Sequence, residues 1–494
     1  MTYANVFAYK NPSDWFTYHP FFIGDKFNYP FVTSLVSGLL MRLGFDRVPA
    51  FVLPSIVSTL FFLAMVYVFF RQLLDSNRKA FLATSLLLAS GGLGFILFIQ
   101  ELIHKPSLTT LMFPPQEYTL IDSLGIQWGN IVTSQLIPQR AFLLGFPFAL
   151  GIILFIFSWA KRSFKGTPNW KLCLLGFSVG ILTLIHPHSV LAVAIICFFL
   201  FALEPRPIKP WLLFGSTSAL FATVAYFLFL KAKTTQHFFG WHGGWMSDGT
   251  TLGFFKFWWI NWGFFLPLAI LGAWRTRLFK NPFVLSGFFI FVICNLIRFA
   301  PWIWDNTKLL TWSYLLLSIP VVSYLSFLWN KKNLVSKISA VLLIGVTTAS
   351  GALELCRLSH TDQLMSVMWP EEDIKMANQF RSISQPTDRV LVGPDDFQSW
   401  VIRLSGRQVL LGYSGTVWSY GFDGNQLHAD IREMLKGGDS AKVLLIKYDL
   451  HYVVIGDYEK THYEANEAYF KSHFRNVLEN SRHRVYNLKD PLGL

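Results

Sequence analysis

The chain has 494 residues, of which 53% are hydrophobic and only 14% charged, and its mean hydropathy is +0.41. That balance excludes a single water-soluble globule, which could not hide so much apolar surface behind so little charge. The formal charge of +13 does not point to nucleic acid either, because Lys and Arg gather in short loops between apolar runs, where they orient a membrane protein.

Residues 1–29 are a polar and aromatic stretch with no preceding apolar run. Phe31–Phe45 is apolar but short, and reads as an interfacial helix on the outer face. Spanning helices are then expected near 47–73, 79–101, 139–160, 170–186, 187–203, 208–230, 254–274, 280–300, 308–329 and 334–356, since apolar runs of this kind cross a hydrocarbon core of about 30 Å. A helix also satisfies its own peptide groups there. The loops RQLLDSNRK, KRSFKG, EPRPIK, RTRLFK and NKKNLVSK are short and basic, which assigns them to the cytoplasm. The segment 102–138, the HPHS turn, residues 232–253 and 300–307 and everything after Arg357 then face outward. Trp241, Trp245, Trp258, Trp259, Trp262, Trp302 and Trp304 cluster at the ends of apolar runs, as belt residues do.

Cys173, Cys197, Cys294 and Cys356 lie in or beside apolar runs and offer no disulfide framework. From residue 357 the charge density rises to that of a soluble domain. DRVLVGPDDFQSWVIRLSGRQVLLGY reads as strand, polar turn, helix and strand, YDLHYVVIGDYE as a buried strand, and YFKSHFRNVLENSRHRVYNL as helix then edge strand. The expected architecture is an all-α polytopic membrane protein of about ten spanning helices with a C-terminal soluble α/β domain. Its parts are an outer-face loop and interfacial helix over 1–46, a multi-pass domain over 47–356, and an extracytoplasmic α/β domain over 357–494.

Polar residues beside membrane helices are costly and therefore informative. Arg140, in Pro138-Gln139-Arg140 at the mouth of a helix, can hold a lipid phosphate by paired N–H donors or snorkel to the headgroups. His186-Pro187-His188 is a tight outward turn that suits a phosphate, or a pair of histidines bonded to backbone. Arg298, Asp305 and Lys308 sit among Trp and Phe, where Asp305 offsets the cations and Lys308 can meet a phosphate; ion pairing alone is the alternative. His237, His242 and Asp248 lie on a Gly-rich loop whose spacing is weak for a metal. Trp241 and Trp245 on that loop can stack on a sugar or serve as belt residues. In the α/β domain Gly393-Pro394-Asp395-Asp396 and Trp418-Ser419-Tyr420-Gly421 place polar and aromatic residues at strand ends, suited to carbohydrate or simply to turns. No Walker, dinucleotide, HExxH or GxSxG motif is present.

The N-terminal segment DWFTYHPFFIGDKFNYPFVTSLVSGLLMRLG, with His19-Pro20 and Asn28-Tyr29-Pro30-Phe31 ahead of an amphipathic helix and a long span, resembles the first outer loop of the GT-C glycosyltransferases. That group of polytopic enzymes includes protein O-mannosyltransferases, aminoarabinose transferases and oligosaccharyltransferases. The resemblance implies transfer of a sugar from a polyprenyl-phosphate donor in the bilayer to an acceptor on the outer face of a prokaryotic plasma membrane, with no role for nucleic acid. It implies donor-phosphate contacts from Arg140, His186, His188, Arg298 and Lys308, and acceptor or sugar contacts from Trp241, Trp245, Trp418 and Tyr420. In the group an acidic residue after the first spanning helix acts as base or through a metal. Here no helix precedes the loop and no acidic pair is present, so Asp14 is the nearest candidate base, a divalent metal is left open, and an upstream helix is expected to be missing. A non-catalytic envelope assembly or glycan-binding protein, and a lipid or solute transporter, stay open as alternatives.

Overall fold

The computed structural model describes residues 1–203, 207–232, 239–360 and 364–492. They form two compact units, one of Ser55–Tyr226 with Phe239–Met365, the other of Met1–Pro54, Phe227–Phe238 and Ser366–Leu494. The N-terminal segment and the C-terminal α/β domain therefore belong to one unit.

The first unit is helical. Among the described residues five helices are long and apolar enough to cross a membrane: Arg47–Leu74, Arg140–Lys161, Ile208–Leu230, Ile303–Trp329 and Leu334–Leu358. The pair Thr251–Trp262 and Phe265–Arg275, bent by 89°, raises the number to six if it counts as one span. About ten spans were expected, and the remaining apolar helices of the described residues are shorter than these. Asn169–Ile185 and Pro187–Leu203 have 17 residues each and Pro282–Cys294 has 13. At about 1.5 Å per residue the two helices of 17 residues stand at the lower limit for a crossing and the one of 13 falls short of it. The run expected over 79–101 divides into Asn77–Leu88 and Phe95–His104.

That division has a packing cause. A Cβ at Gly92 would lie 2.0 Å from the Ile260 carbonyl oxygen, one at Gly94 1.7 Å from that of Tyr118, and one at Gly351 2.2 Å from that of Ala89. Backbones touch backbones here, which only glycine permits. Ser350 bridges the gap, its Oγ donating to Gly92 O and accepting from Phe95 N, both at 2.8 Å. The most apolar window of Ile303–Trp329 is 83% buried, whereas those of Arg47–Leu74 and Ile208–Leu230 are 11% buried. The first is thus the hub of the unit and the other two expose apolar side chains such as Val52, Ile56, Leu60, Leu212 and Leu220, as lipid contact requires. A two-residue ladder, β1 (Gly240–Trp241) against β2 (Ile297–Arg298), joins two of the loops.

The second unit is built on a five-stranded sheet of β3 (Arg389–Leu391), β4 (Gln408–Val409), β5 (Tyr452–Gly456), β6 (Phe474–Glu479) and β7 (His483–Pro491) in the order β4-β3-β5-β7-β6. The first three strands are parallel and the rest antiparallel. β5 is buried along its whole length, as expected of the apolar run YVVIG. The N-terminal segment docks on this domain. Thr2 Oγ1 donates to Ile402 O (3.0 Å), Asn5 Nδ2 donates to Arg403 O (2.9 Å), Phe22 bridges to Leu411, and Phe7 is fully buried.

Helix Asn169–Ile185 packs on helix Ile208–Ala225 through Gly176 and Gly180, where a Cβ would lie 2.1 Å from Thr217 Oγ1 and 2.6 Å from Phe221 Cβ. We predict that Gly180→Val costs about 1–3 kcal/mol of stability, read as a fall in the melting temperature of the detergent-solubilised protein, while Gly215→Val, which meets nothing within 4 Å, leaves it unchanged.

Candidate functional site

The membrane unit gathers its polar side chains where helices break. His186 is the one residue between Asn169–Ile185 and Pro187–Leu203 and is extended, because Pro187 cannot continue the preceding helix. Gly145 lets this turn seat on helix Arg140–Lys161, since a Cβ there would lie 2.4 Å from that of His186, and the Phe142 ring meets the imidazole edge-on at 5.4 Å. His186 Nδ1 shares a hydrogen bond of 2.8 Å with Ser189 Oγ, which also accepts from Trp312 Nε1 at 3.3 Å. Lys308 lies one turn before Trp312 on helix Thr307–Trp329, and its Nζ pairs with Asp305 Oδ2 at 2.9 Å. The Lys308 charge bears on both His186 and His188, whose rings are 5.5 Å apart. The Nε2 atoms of both histidines are buried and have no hydrogen-bond partner among the described residues. Arg140 opens the helix that carries Phe142 and Gly145.

Arg298 lies in β2 opposite Gly240, with its guanidinium against that glycine. Asn306 ties this strand to the start of the Lys308 helix: its Nδ2 donates to Cys294 O (2.9 Å) and Ile297 O (2.8 Å), and its Oδ1 accepts from Phe299 N (3.1 Å). Of the two loop tryptophans, Trp241 is 78% exposed. Trp245 is buried, stacked on Trp258 at 5.5 Å and donating to Ile303 O at 3.0 Å, so its ring holds the loop together. His242 is bonded to Trp245 O at 2.7 Å, and Asp248 accepts from Thr250 N and Oγ1 at the start of helix Thr251–Trp262. His237 lies outside the described residues. Among the described residues no three His, Cys, Asp or Glu side chains stand so as to hold a metal ion.

Asp14, Trp418 and Tyr420 belong to the other unit. Asp14 is half-buried in a short turn, its carboxylate accepting from Ser13 Oγ at 3.2 Å. Trp418 is 54% exposed. Tyr420 is held by hydrogen bonds with Tyr3 and Tyr29, and the Tyr3 and Tyr29 rings stack at 4.5 Å. Tyr3 in turn shares a bond of 2.9 Å with His19 Nε2, and burial pushes the His19 imidazole down to about 3. The strand-end group is committed to turn geometry: Ser414 N and Oγ donate to Asp395, and Glu459 accepts from Gly393 N and Gly456 N. Burial raises the Glu459 carboxyl to about 7.

One residue escaped the sequence reading. Glu354, near the end of helix Leu334–Leu358, is 1% exposed; its Oε1 accepts from Thr119 N (3.1 Å) and Oγ1 (3.3 Å), while Oε2 has no partner among the described residues. The signal was a lone carboxylate in the apolar run TTASGALELCRL, which by default marks a functional position.

No family model matches the sequence, and no curated protein is similar to it. Among solved structures, the chain is similar to the Archaeoglobus fulgidus oligosaccharyltransferase tethered to an acceptor peptide containing the NVT sequon, with a TM-score of 0.44 and 12% identity over 100% of this chain and 70% of that one. It is also similar to that enzyme in complex with Zn and sulfate, with a TM-score of 0.41 and 13% identity over 93% and 63%. A third is the archaeal oligosaccharyltransferase AglB from Archaeoglobus fulgidus with an inhibitory peptide and a dolichol-phosphate, with a TM-score of 0.41 and 12% identity over 96% and 68%.

The His19 geometry has a consequence for pH. A folded value near 3 against 6.5 for the free side chain means that the undocked segment takes the proton first, so docking is fully stable above about pH 6.5 and weakens by up to about 1.4 kcal/mol per pH unit as pH falls towards 3. The melting temperature is expected to drop between pH 7 and 5 in the native protein and to drop less in His19→Gln.

Proposed function

We propose that the chain is a membrane glycosyltransferase that takes a sugar from a polyprenyl-phosphate-linked donor and passes it to an acceptor on the outer face of the bilayer. The observation that carries this reading is the pair of buried Nε2 atoms of His186 and His188, without a partner among the described residues, beside the Lys308–Asp305 ion pair. A buried polar atom without a partner is costly, and a ligand that supplies one explains why it is kept. In sugar transfer negative charge develops on the departing phosphate. An ammonium and imidazole N–H groups already in place stabilise that charge without reorganisation. Asp305 holds Lys308 in position and offsets part of its charge before the donor arrives. Arg140 and Arg298 are the further phosphate contacts in this scheme, and the lipid tail runs along the exposed apolar helices.

Trp241, being exposed, suits stacking on a sugar, and Trp245 acts by fixing that loop. Trp418 and Tyr420 are the acceptor contacts proposed in the α/β domain, and Asp14 is the proposed base. A second reading, a non-catalytic glycan-binding or assembly protein, is favoured by the Asp14 carboxylate, which is engaged by Ser13.

The test is transfer from a lipid-linked sugar by the reconstituted full chain. Lys308→Ala and His188→Gln are each expected to lower turnover by roughly 10²–10³-fold, the scale of losing one preorganised donor. Asp14→Asn is expected to abolish turnover with donor binding intact. Unchanged turnover in the first two variants removes the phosphate site. Donor binding without turnover in the native protein favours the second reading.

A further inference from the structure

Five cations, Lys10, Arg42, Arg47, Arg381 and Arg407, gather around the C-terminal end of helix Thr2–Tyr9. Arg42 Nη1 donates to Lys10 O at 2.9 Å. The Arg381 guanidinium lies 4.6 Å from the centre of the Tyr9 ring and donates to Leu404 O at 2.8 Å. Arg47 Nη2 donates to that same oxygen at 3.2 Å. Arg407 is buried and donates to the carbonyls of Arg381 and Ser384. Lys10, 2% exposed, has its Nζ 3.5 Å from the centre of the Tyr18 ring. Among the described residues none of the five has a carboxylate within ion-pairing distance, whereas Arg71, Arg357, Arg482 and Arg484 each have one. Asp14 and Asp388 lie farther off and offset the charge only in part.

Carbonyls at the end of the one-turn helix Val401–Ser405 offer partial negative charge, too little for two guanidiniums. Burial first, and then Arg407, pushes the Lys10 amine down to about 7, and burial with Arg381 lowers Arg407 to about 10 against the pull of Asp388. Lys10 Nζ and Arg47 Nε have no hydrogen-bond partner among the described residues.

The surroundings say what kind of anion fits. Arg47 is the first residue of the spanning helix Arg47–Leu74, which sets the guanidiniums where that helix leaves the hydrocarbon. Next to them Leu39, Leu43, Phe45 and Val48 are 39%, 77%, 45% and 70% exposed. Apolar side chains beside a cation cluster at a span's end are the two halves of an amphiphile's complement. We propose that this cluster is a headgroup site for an anionic phospholipid of the surrounding bilayer, its phosphate held by Arg42, Arg47 and Arg381 and its acyl chains lying along Leu43, Phe45 and Val48. Planar guanidiniums suit a phosphodiester, which accepts paired N–H donors. The site is independent of the transferase reading, since none of these residues takes part in it.

The experiment is native mass spectrometry of the full chain released from bilayers of equal phosphatidylglycerol and phosphatidylcholine. The native protein is expected to retain the anionic lipid over the zwitterionic one by roughly tenfold, as one or two screened cation contacts allow. Arg47→Gln with Arg381→Gln is expected to abolish the preference, and Arg47→Lys with Arg381→Lys to keep part of it, which separates loss of charge from loss of fold. Equal retention of the two lipids by the native protein, or an undiminished preference in the glutamine variant, overturns the proposal. Displacement of the lipid by millimolar inorganic phosphate also overturns it, because the site is then one for a soluble anion.

Discussion

A peptide group facing lipid with no hydrogen-bond partner is too costly to keep, and the membrane unit is organised around meeting that demand at its helix breaks. Four buried side chains do most of it. Asn130 Nδ2 donates to Leu88 O and Ser90 O, where helix Asn77–Leu88 ends. Asn261 Oδ1 accepts from Gln127 N and Trp128 N, while its Nδ2 reaches Gly125 O and Phe257 O. Asn306 serves the carbonyls of Cys294 and Ile297, and Ser350 serves both sides of the glycine break. Asn261 and Asn306 lie at helix ends, Asn130 in a loop and Ser350 within helix Leu334–Leu358, and each reaches backbone beside a break.

The same breaks create the polar centre. A continuous helix through His186 would have hidden its backbone and aimed its imidazole elsewhere. Pro187 and Gly145 instead turn two histidines towards the helix that carries Lys308 and Trp312. Irregular backbone at membrane depth is tolerated where protein encloses it, and enclosed irregular backbone is where donors can converge on a ligand. The hub helix Ile303–Trp329, buried through most of its window, supplies the rigid wall against which these groups are set.

In the second unit the governing contact is between the chain's two ends. Helix Thr2–Tyr9 caps the carbonyls at the end of Val401–Ser405, and Tyr3 and Tyr29 hold Tyr420. The aromatic loop of the α/β domain is thereby positioned by residues four hundred places earlier in the chain. The cost is a crowd of cations, Arg47 and Arg381 sharing one carbonyl.

What the sequence determined by itself was the class of solvent and the order of the parts. Apolar run length and loop charge act locally, so lipid-crossing helices and a C-terminal domain of alternating strands and helices could be read directly. Lys308, His186 and His188 stood out because charged and imidazole groups beside apolar runs are expensive wherever they fall. Tertiary structure decided the rest. Whether an apolar run becomes one straight helix depends on a neighbour's backbone reaching its glycines, and nothing in SGGLG names Ile260 or Tyr118 as that neighbour. Whether Trp245 stacks on a ligand or on Trp258 depends on which ring arrives first at its face. That Glu354 has a spare oxygen, and that residues 1–54 complete a domain beginning after residue 365, are facts of long-range contact, and such contacts leave no periodicity in the chain.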